Sequence, residues 1–283
     1  MLFACLFGVC VVTVPAAASA IYYPRPEGAD SNIDEYAVEL LMLALEKAGA
    51  HHQLKLTADH MKQGRALMEI GLGNGNVDIM VTMTSKEREQ QLLPIRIPVS
   101  KGMVGWRVAL LRADRAELFK NVKSLADLKA FAAGQGHDWP DTETLLANGL
   151  KVHRVTSYDG LFGMLGAGRI DYVPRSMREI WAELPRHKEL VPDPYIVLHY
   201  RTTDYFFVNK RNTKLAEEVR RGLEKALADG SFDRLFFHYF AEPIRRARLD
   251  QRRIIELDNP LMSEQTPTDK RLWFSIDDIK RAR

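Results

Sequence analysis

Residues 77–98 read VDIMVTMTSKEREQQLLPIRIP, and this stretch has the pattern of a strand followed by a helix. The apolar run 77–81 predicts a buried strand. Thr84-Ser85-Lys86-Glu87 then has the pattern of a capping box, in which Thr84 accepts from the backbone of Glu87 and Glu87 reaches back to Thr84. The stretch therefore predicts a strand that runs straight into the first turn of a helix near residue 84.

The same alternation of strand and helix patterns continues on both sides of this stretch. Apolar periodicity, capping residues and closing glycines predict helices over 33–48, 62–72, 124–128, 140–148, 157–165, 176–184, 214–228 and 232–239. Short apolar or alternating runs predict strands over 21–23, 53–56, 104–111, 152–155, 170–173, 196–198 and 205–208, with 24–26 as a stiff proline loop. This alternation favours an α/β fold over an all-α or all-β one.

The composition is that of a globular protein. The chain has 283 residues, 46% of them hydrophobic and 27% charged, with 40 Lys+Arg against 37 Asp+Glu. At roughly 100–200 residues per domain, this length predicts two domains or one large one. A net charge of +3 excludes a whole-molecule nucleic-acid footprint, and two cysteines exclude a disulfide-rich scaffold and a four-cysteine zinc site.

Residues 1–20 have the pattern of a secretory signal peptide. The segment 2–14 carries no charge, is too short to span a bilayer, and is followed by Ala18-Ser19-Ala20, which predicts cleavage before Ile21. No Lys or Arg precedes Arg25, so a buried N-terminal strand or helix and a lipoprotein anchor at Cys5 stay as alternatives. Since both cysteines lie in this segment, the mature chain has neither a disulfide nor a thiolate nucleophile, and we expect it in a periplasm.

The end of the chain has a different pattern. After Pro243 the helical periodicity fades into a basic, loop-like segment, residues 245–283. Apolar residues such as Ile254, Leu261 and Trp273 predict that this tail packs on the body of the protein.

Several segments occur together in a familiar order. They are the helix over 33–48, Leu72…Val77-Asp78-Ile79, Ser85-Lys86-Glu87-Arg88, Leu93-Pro94-Ile95-Arg96-Ile97-Pro98, Ser124-Leu125-Ala126-Asp127-Leu128, Leu165-Gly166-Ala167-Gly168-Arg169-Ile170-Asp171, and Lys214-Leu215…Ala226-Leu227-Ala228-Asp229-Gly230-Ser231-Phe232. Over residues 21–240 this order resembles the family 3 extracellular solute-binding proteins of polar amino-acid ABC transporters.

The resemblance implies a type II periplasmic binding fold, with two lobes, each a mostly parallel sheet flanked by helices, and a two-strand hinge. Lobe 1 would hold 21–105 plus 206–283, and lobe 2 would hold 106–205. The two crossings would fall near 106–111 and 202–208. Ligand would bind in the cleft between the lobes.

The resemblance also assigns site residues and shows two departures. Arg88 matches the family's arginine that grips a ligand carboxylate, although the segment from Asp78 to Arg88 is shorter than usual. Where the family places an Asp for the α-amino group, this chain has Pro174-Arg175, which argues against an ordinary α-amino acid in the usual pose. The alternative for Arg88 is a surface residue that pairs with Glu87 or Glu89.

The candidate ligand-binding residues come from four groups. They are the strand-end hydroxyls Thr82, Thr84 and Ser85; the glycine-rich Gln135, Gly136, His137 and Asp138 before a helix; the cations Arg25, Arg88, Arg107 and Arg175; and the aromatic residues Tyr23, Trp106 and Tyr205. Together the four arginines predict a basic cleft that favours an anionic ligand. For each residue a purely structural role stays open: a cap, a plain loop, an ion pair or a core position.

Motifs for chemistry are weak. The glycines of 71–75 follow a helix and precede a strand, the reverse of a phosphate loop, and His51-His52 lacks a partner at metal spacing. We therefore expect no cofactor. The resemblance implies a monomeric binding protein that takes a small polar, carboxylate-bearing ligand by hinge closure and delivers it to an ABC permease. The alternatives are a dehydratase or lyase that uses Asp138, His137 or Glu179, and a ligand-sensing subunit.

Overall fold

A computed structural model describes residues 19–26 and 32–280. Its helices are α1 Asn32–Ala48, α2 Gln63–Leu72, α3 Lys86–Gln91, α4 Leu125–Leu128, α5 Pro140–Ala147, α6 Tyr158–Gly166, α7 Ile180–Glu183, α8 Thr213–Ala228 and α9 Ser231–Ala247. Its strands are β1 Ser19–Pro26, β2 His52–Met61, β3 Ile79–Met83, β4 Leu93–Ile95, β5 Trp106–Arg112, β6 Ala132–Gly136, β7 Lys151–Val155, β8 Val173–Ser176, β9 Leu190–Pro192, β10 Ile196–His199, β11 Asp204–Val208 and β12 Arg253–Glu256.

The strands form two groups, one in each lobe. In lobe 1, β1 pairs with β2 in parallel, and β11 lies between β3 and β4 and is antiparallel to both. In lobe 2, β5 is antiparallel to β8, β9 and β10, while β6 and β7 are parallel. The α/β fold is as expected, but the expectation of mostly parallel sheets is corrected, because the central strand of each lobe, β5 or β11, has antiparallel partners.

Helices α1 and α8 pack closely over the sheet of lobe 1. A Cβ on Gly222 of α8 would lie 1.7 Å from the carbonyl oxygen of Ala44 in α1, so only glycine permits this approach. Tyr36, on the buried face of α1, packs edge-on against Phe240 of α9 with ring centroids 4.7 Å apart. These contacts fix the helices behind β3, whose far end carries the site.

The chain crosses between the lobes at two points that lie side by side. Gly105 precedes β5, and its carbonyl accepts from the backbone N–H of Tyr200, which follows β10, at 3.2 Å. A Cβ on Gly105 would lie 2.2 Å from the Tyr200 carbonyl oxygen, so this close approach requires glycine. The two crossing segments form a paired connection on which the lobes meet.

The tail packs on both lobes, as its apolar residues predict. Strand β12, placed in lobe 1 by the sequence, hydrogen-bonds β10 in the sheet of lobe 2. The Leu261 carbonyl accepts from the N–H of Lys86 in lobe 1 at 2.9 Å, and the N–H of Phe274 donates to the Lys101 carbonyl beside the crossing at 2.7 Å. Helix α9 also continues through Pro243 to Ala247, beyond the predicted end of the pattern.

Four local predictions are wrong. Ser85, and not Thr84, caps α3, since its hydroxyl accepts from the N–H of Arg88, while Thr84 donates to Glu89. The second capping box does not start α7 at Ser176, because that helix begins at Ile180.

The strand expected over 170–173 lies at Val173–Ser176, so Arg175 is inside β8 and does not follow it. The predicted loop over 24–26 belongs to β1, which shifts its register between Tyr23 and Arg25.

Most of the predicted signal peptide, residues 1–18 with Cys5 and Cys10, lies outside the described residues. Ser19 and Ala20 open β1 and pair with His52 and Gln53. Within 19–26 and 32–280, no helix has the length and hydrophobicity needed to cross a membrane.

Candidate functional site

A cavity of about 280 Å³ lies between the lobes. From lobe 1 it is lined by the ends of β1 and β3 and the start of α2. From lobe 2 it is lined by the 136–141 segment, the start of α6, and residues around β8 and α7. The cavity therefore occupies the cleft position that the sequence predicts.

Arg88 stands directly behind the lobe 1 wall of this cavity. Its Nη1 donates to the Thr82 hydroxyl at 2.7 Å and to the Met83 carbonyl at 2.9 Å. Its Nη2 donates to Gln63 Oε1 at 2.6 Å and, across the cavity, to the Asp138 carbonyl at 3.1 Å. All four acceptors are uncharged, and all four residues line the cavity.

The charge of Arg88 is buried and poorly compensated. The residue is 8% exposed, and no carboxylate of the described residues forms a salt bridge with it. Burial lowers the pKa of its guanidinium to about 10, in spite of the opposing effect of Asp138 and Asp141. A buried cation without an ion partner costs several kcal/mol by order of magnitude, so this position attracts an anion.

Arg107, in contrast, has an internal counter-charge. It lies in β5, its Nη2 donates to Asp141 at the start of α5, and its Nε donates to the Tyr200 hydroxyl at 3.0 Å. Burial lowers the pKa of the Arg107 guanidinium, but Asp141, Tyr200 and Glu179 together outweigh that effect and the pKa rises. Arg107 is therefore a neutralised part of the wall.

Arg175 is surrounded by carboxylates and rings. Its Nε donates to both oxygens of Glu183 at 2.9 and 3.0 Å, and its Nη2 lies 2.6 Å from Glu183 Oε1 and 3.0 Å from Glu179 Oε2. The guanidinium carbon lies 4.9 Å from the ring centroid of Trp139 and 5.9 Å from that of Tyr158. The chain itself thus supplies both anions and both aromatic faces for this cation.

Glu179 shares its charge among several arginines. Burial raises the pKa of its carboxyl, but Arg175, Arg107 and Arg178 together lower it below the usual value. A carboxyl held ionised in this way is poorly suited to donate a proton as a general acid.

A fourth buried arginine links lobe 2 to the hinge. Arg178 donates to Asp204 Oδ2 at 2.7 Å, and Asp204 begins β11 in lobe 1. The other oxygen of Asp204 accepts from the N–H and the hydroxyl of Ser100 at 3.1 and 2.6 Å. The charge of Arg178 is therefore paired within the chain.

The structure brings about half of the predicted site residues to the cavity wall. Those that line it are Tyr23, Thr82, Arg107, Gly136, His137, Asp138 and Arg175. Those that do not line it are Arg25, Thr84, Ser85, Arg88, Gln135, Trp106 and Tyr205. Arg88 and Ser85 adjoin the wall through the hydrogen bonds of the α3 start.

The other non-lining residues have different places. Trp106 stacks on His199 with ring centroids 4.0 Å apart, beside a second cavity under the tail. Gln135 and Tyr205 are fully buried in β6 and β11. The N–H of Arg25 donates to the Thr57 hydroxyl at the edge of β1.

The wall is not basic overall, which corrects the expectation of a basic cleft. Its cations are Lys62, Arg107, Arg175, Arg178 and Arg186, and its carboxylates are Asp138, Asp141, Asp159, Glu179, Glu183 and Asp204. The buried arginines among them are each paired with a carboxylate. Among the described residues, no group of three or more His, Cys, Asp or Glu side chains is placed to hold a metal ion.

Sequence reasoning missed several residues of the wall. Gln63 begins α2 directly after β2, the same strand-to-helix junction that singled out Thr82, so its position was a usable signal. Glu183 lies eight residues after Arg175 and nothing in its local pattern marks it. Asp141 meets Arg107 only through the tertiary fold.

No protein-family model and no curated protein matches this chain. Solved structures are similar to it. An ancestral arginine-binding protein bound to arginine is 17% identical with a TM-score of 0.59, over 78% of this chain and 98% of that one. A mutant of ArgBP from T. maritima is 18% identical with a TM-score of 0.59, over 79% of this chain and 96% of that one.

A histidine kinase sensor domain with similarity to periplasmic binding proteins is 17% identical with a TM-score of 0.58, over 79% of this chain and 96% of that one. At these identities the likeness concerns the fold alone. The chain has the two-lobed α/β fold of the type II periplasmic binding proteins.

Proposed function

We propose that this chain is an extracytoplasmic solute-binding protein that captures a small polar, carboxylate-bearing ligand in the cavity between its lobes. The observation that carries the proposal is Arg88, a buried cation at the cavity wall whose hydrogen-bond acceptors are all uncharged. The fold is that of proteins that bind amino acids for ABC transporters, which supports an ABC permease as the partner of a periplasmic monomer.

Three of the four hydrogen bonds of Arg88 lie within lobe 1, and one crosses to lobe 2. Thr82 and Met83, at the end of β3, accept from Nη1, and Gln63, at the start of α2, accepts from Nη2. The Asp138 carbonyl belongs to the other lobe, so separation of the lobes removes it from Nη2. A ligand carboxylate then takes that place, and it gives Nη2 a charged acceptor where a neutral one stood.

Closure follows from contact with both lobes. A ligand bound at Arg88 also meets the 136–141 segment of lobe 2, so it stabilises the closed arrangement by its differential affinity for that state. The crossing at Gly105 and Tyr200 is the connection about which the lobes move.

A ligand-sensing subunit is the second candidate, because a histidine kinase sensor domain shares this fold. Both functions need the same binding step and differ in the partner. A pull-down with the ligand-saturated protein separates them, since a permease is expected in the first case and a sensor kinase in the second.

The test is a thermal-shift screen of residues 21–283 with amino acids, dicarboxylates, keto acids, small sugars and phosphates. A ligand at 100 times its Kd adds about 2.7 kcal/mol to the free energy of unfolding. We expect stabilisation by carboxylates only, and recovery of the ligand unchanged after incubation. Stabilisation by sugars alone, or no response to any carboxylate, would overturn the proposal; conversion of the ligand would select the enzyme alternative.

A further inference from the structure

Five residues of the lobe 2 wall form what we name the cation box: Arg175 at its centre, Trp139 and Tyr158 as its faces, and Glu179 and Glu183 as its anions. All five line the cavity. Arg175 is 6% exposed and Glu183 is 7% exposed, so the charges face each other and not solvent. Tyr158 also donates its hydroxyl to Glu183 Oε1 at 2.6 Å, which fixes the ring and the carboxylate together.

The box has the chemistry of a receptor for a guanidinium ion. A planar cation lies against aromatic faces, and carboxylate oxygens accept its N–H groups in the plane. In a binding site such groups would recognise a ligand cation. Here a side chain of the protein occupies the position.

The rest of the cavity offers little to a second cation. Asp141, Glu179, Glu183 and Asp204 are each in a salt bridge with an arginine. Of the wall carboxylates in the described chain, Asp138 and Asp159 lack a Lys or Arg partner, and both remain in contact with solvent. An incoming ammonium or guanidinium therefore finds the cation position filled by Arg175 and no unpaired buried carboxylate.

We propose that Arg175 is a specificity-determining residue that fills the cation position of the cavity, so that the ligand is a carboxylate without a guanidinium or ammonium group on its far end. This inference rests on the proposed function for the carboxylate, and on the cation box alone for the exclusion of cations. Arg88 holds the anionic end of the ligand, and the neutral end lies toward Arg175.

The first experiment empties the box. The Arg175→Ala variant is titrated with methylguanidinium and, at equal ionic strength, with methylammonium, and unfolding is followed by differential scanning fluorimetry. We expect saturable stabilisation of the variant by methylguanidinium, with an apparent affinity at least ~10-fold better than for methylammonium. The wild type and the Arg115→Ala variant, which loses an exposed arginine outside the cavity, should show no such response.

A second comparison uses the wild type, in case Arg175→Ala does not fold. γ-Guanidinobutyrate and γ-ureidobutyrate have the same carboxylate end, nearly the same length and no α-ammonium group, but the far end of γ-ureidobutyrate is uncharged. We expect the wild type to bind γ-ureidobutyrate at least ~10-fold more tightly than γ-guanidinobutyrate. Equal or tighter binding of γ-guanidinobutyrate would overturn the proposal, as would an Arg175→Ala variant that folds but ignores methylguanidinium.

The two proposals fail in different ways. If no carboxylate binds the wild type but methylguanidinium still stabilises Arg175→Ala, the proposed function fails and the cation box stands. If carboxylates bind and γ-guanidinobutyrate is accepted as well as γ-ureidobutyrate, the proposed function stands and the role of Arg175 is wrong.

Discussion

Arg175 lines the lobe 2 wall of the cavity and Arg88 lies directly behind the lobe 1 wall, and both residues are buried. Arg88 donates to hydroxyl, amide and carbonyl oxygens, whereas Arg175 donates to two carboxylates and lies against two rings. The first has no carboxylate in direct contact, and the second is neutralised by its own chain. From this contrast we propose that an arginine of this cleft can serve as a ligand site when the chain itself gives it no carboxylate partner.

The two arginines should differ in what their removal changes. Loss of Arg175 leaves buried carboxylates without their cation, so it should lower stability more than binding. Loss of Arg88 removes the proposed anion site, so it should lower binding more than stability. Four experiments test these expected differences in stability and binding.

The largest effect is expected from Arg175→Ala on stability. The variant leaves Glu183 and Glu179 without their central cation, and removing one partner of a buried ion pair costs about 3–5 kcal/mol. Denaturant unfolding measures this loss, and Arg115→Ala, from an exposed pair, should cost under about 1 kcal/mol. Adding Glu183→Gln to Arg175→Ala should restore part of the stability. Equal losses of stability for Arg175→Ala and Arg115→Ala would contradict this prediction.

Arg88→Ala should abolish or strongly weaken carboxylate binding. Truncating one partner of a buried charged contact costs about 2–5 kcal/mol, or at least ~30-fold in Kd. Isothermal titration with the best carboxylate of the screen measures it. The control is Arg65→Ala, which removes an exposed arginine of α2 outside the cavity wall and should bind as the wild type does. Unchanged binding by Arg88→Ala would contradict the proposed anion site.

The stability difference between wild type and Arg175→Ala should shrink in acid. Arg175 helps to lower the pKa of Glu179 in the folded protein, so this contribution is present above the unfolded value of 4.5 and is lost as pH falls through the lower folded value. Melting temperatures of both proteins from pH ~7 to pH ~3.5 measure the difference. If the difference in melting temperature grew as the pH fell, Glu179 would not contribute to the stability of the cation box.

Ser85→Ala should have the smallest effect. The Ser85 hydroxyl caps α3 by accepting from the Arg88 N–H at 3.2 Å, and loss of an N-cap costs about 1 kcal/mol. Thr84→Ala is the neighbouring comparison, because Thr84 donates to Glu89 and does not cap the helix. A loss of stability in Thr84→Ala with none in Ser85→Ala would contradict the assignment of Ser85 as the cap.

Sequence reasoning reached the fold because its main elements have strong local patterns. The helix over 214–228 has apolar residues at regular helical spacing, and it appears as Thr213–Ala228. The continuation of α9 through Pro243 was missed because a proline ordinarily ends such a pattern. Strand β8 was placed too early because residues 170–173 alternate and are mostly buried, whereas the ladder to β5 begins only at Val173.

The partners of the buried arginines could not be predicted from the local sequence. Arg88 could be singled out by its place after a capped helix start, but its neutral acceptors include Gln63 and Asp138 from distant segments. Arg107 was expected to make the cleft basic, yet its partner Asp141 reaches it only when α5 packs beside β5. Whether a charge is compensated depends on such tertiary contacts, and spacing along the chain does not reveal it.

The most direct test is a crystal structure of the protein with the carboxylate that gives the largest thermal shift. We expect the ligand carboxylate to lie within about 3 Å of Arg88 Nη2, in the place of the Asp138 carbonyl. We also expect the ion pairs of Arg175 with Glu179 and Glu183 to stay intact. A carboxylate bound to Arg175 in place of its glutamates, or bound outside the cavity while Arg88 keeps its four neutral acceptors, would contradict these expectations.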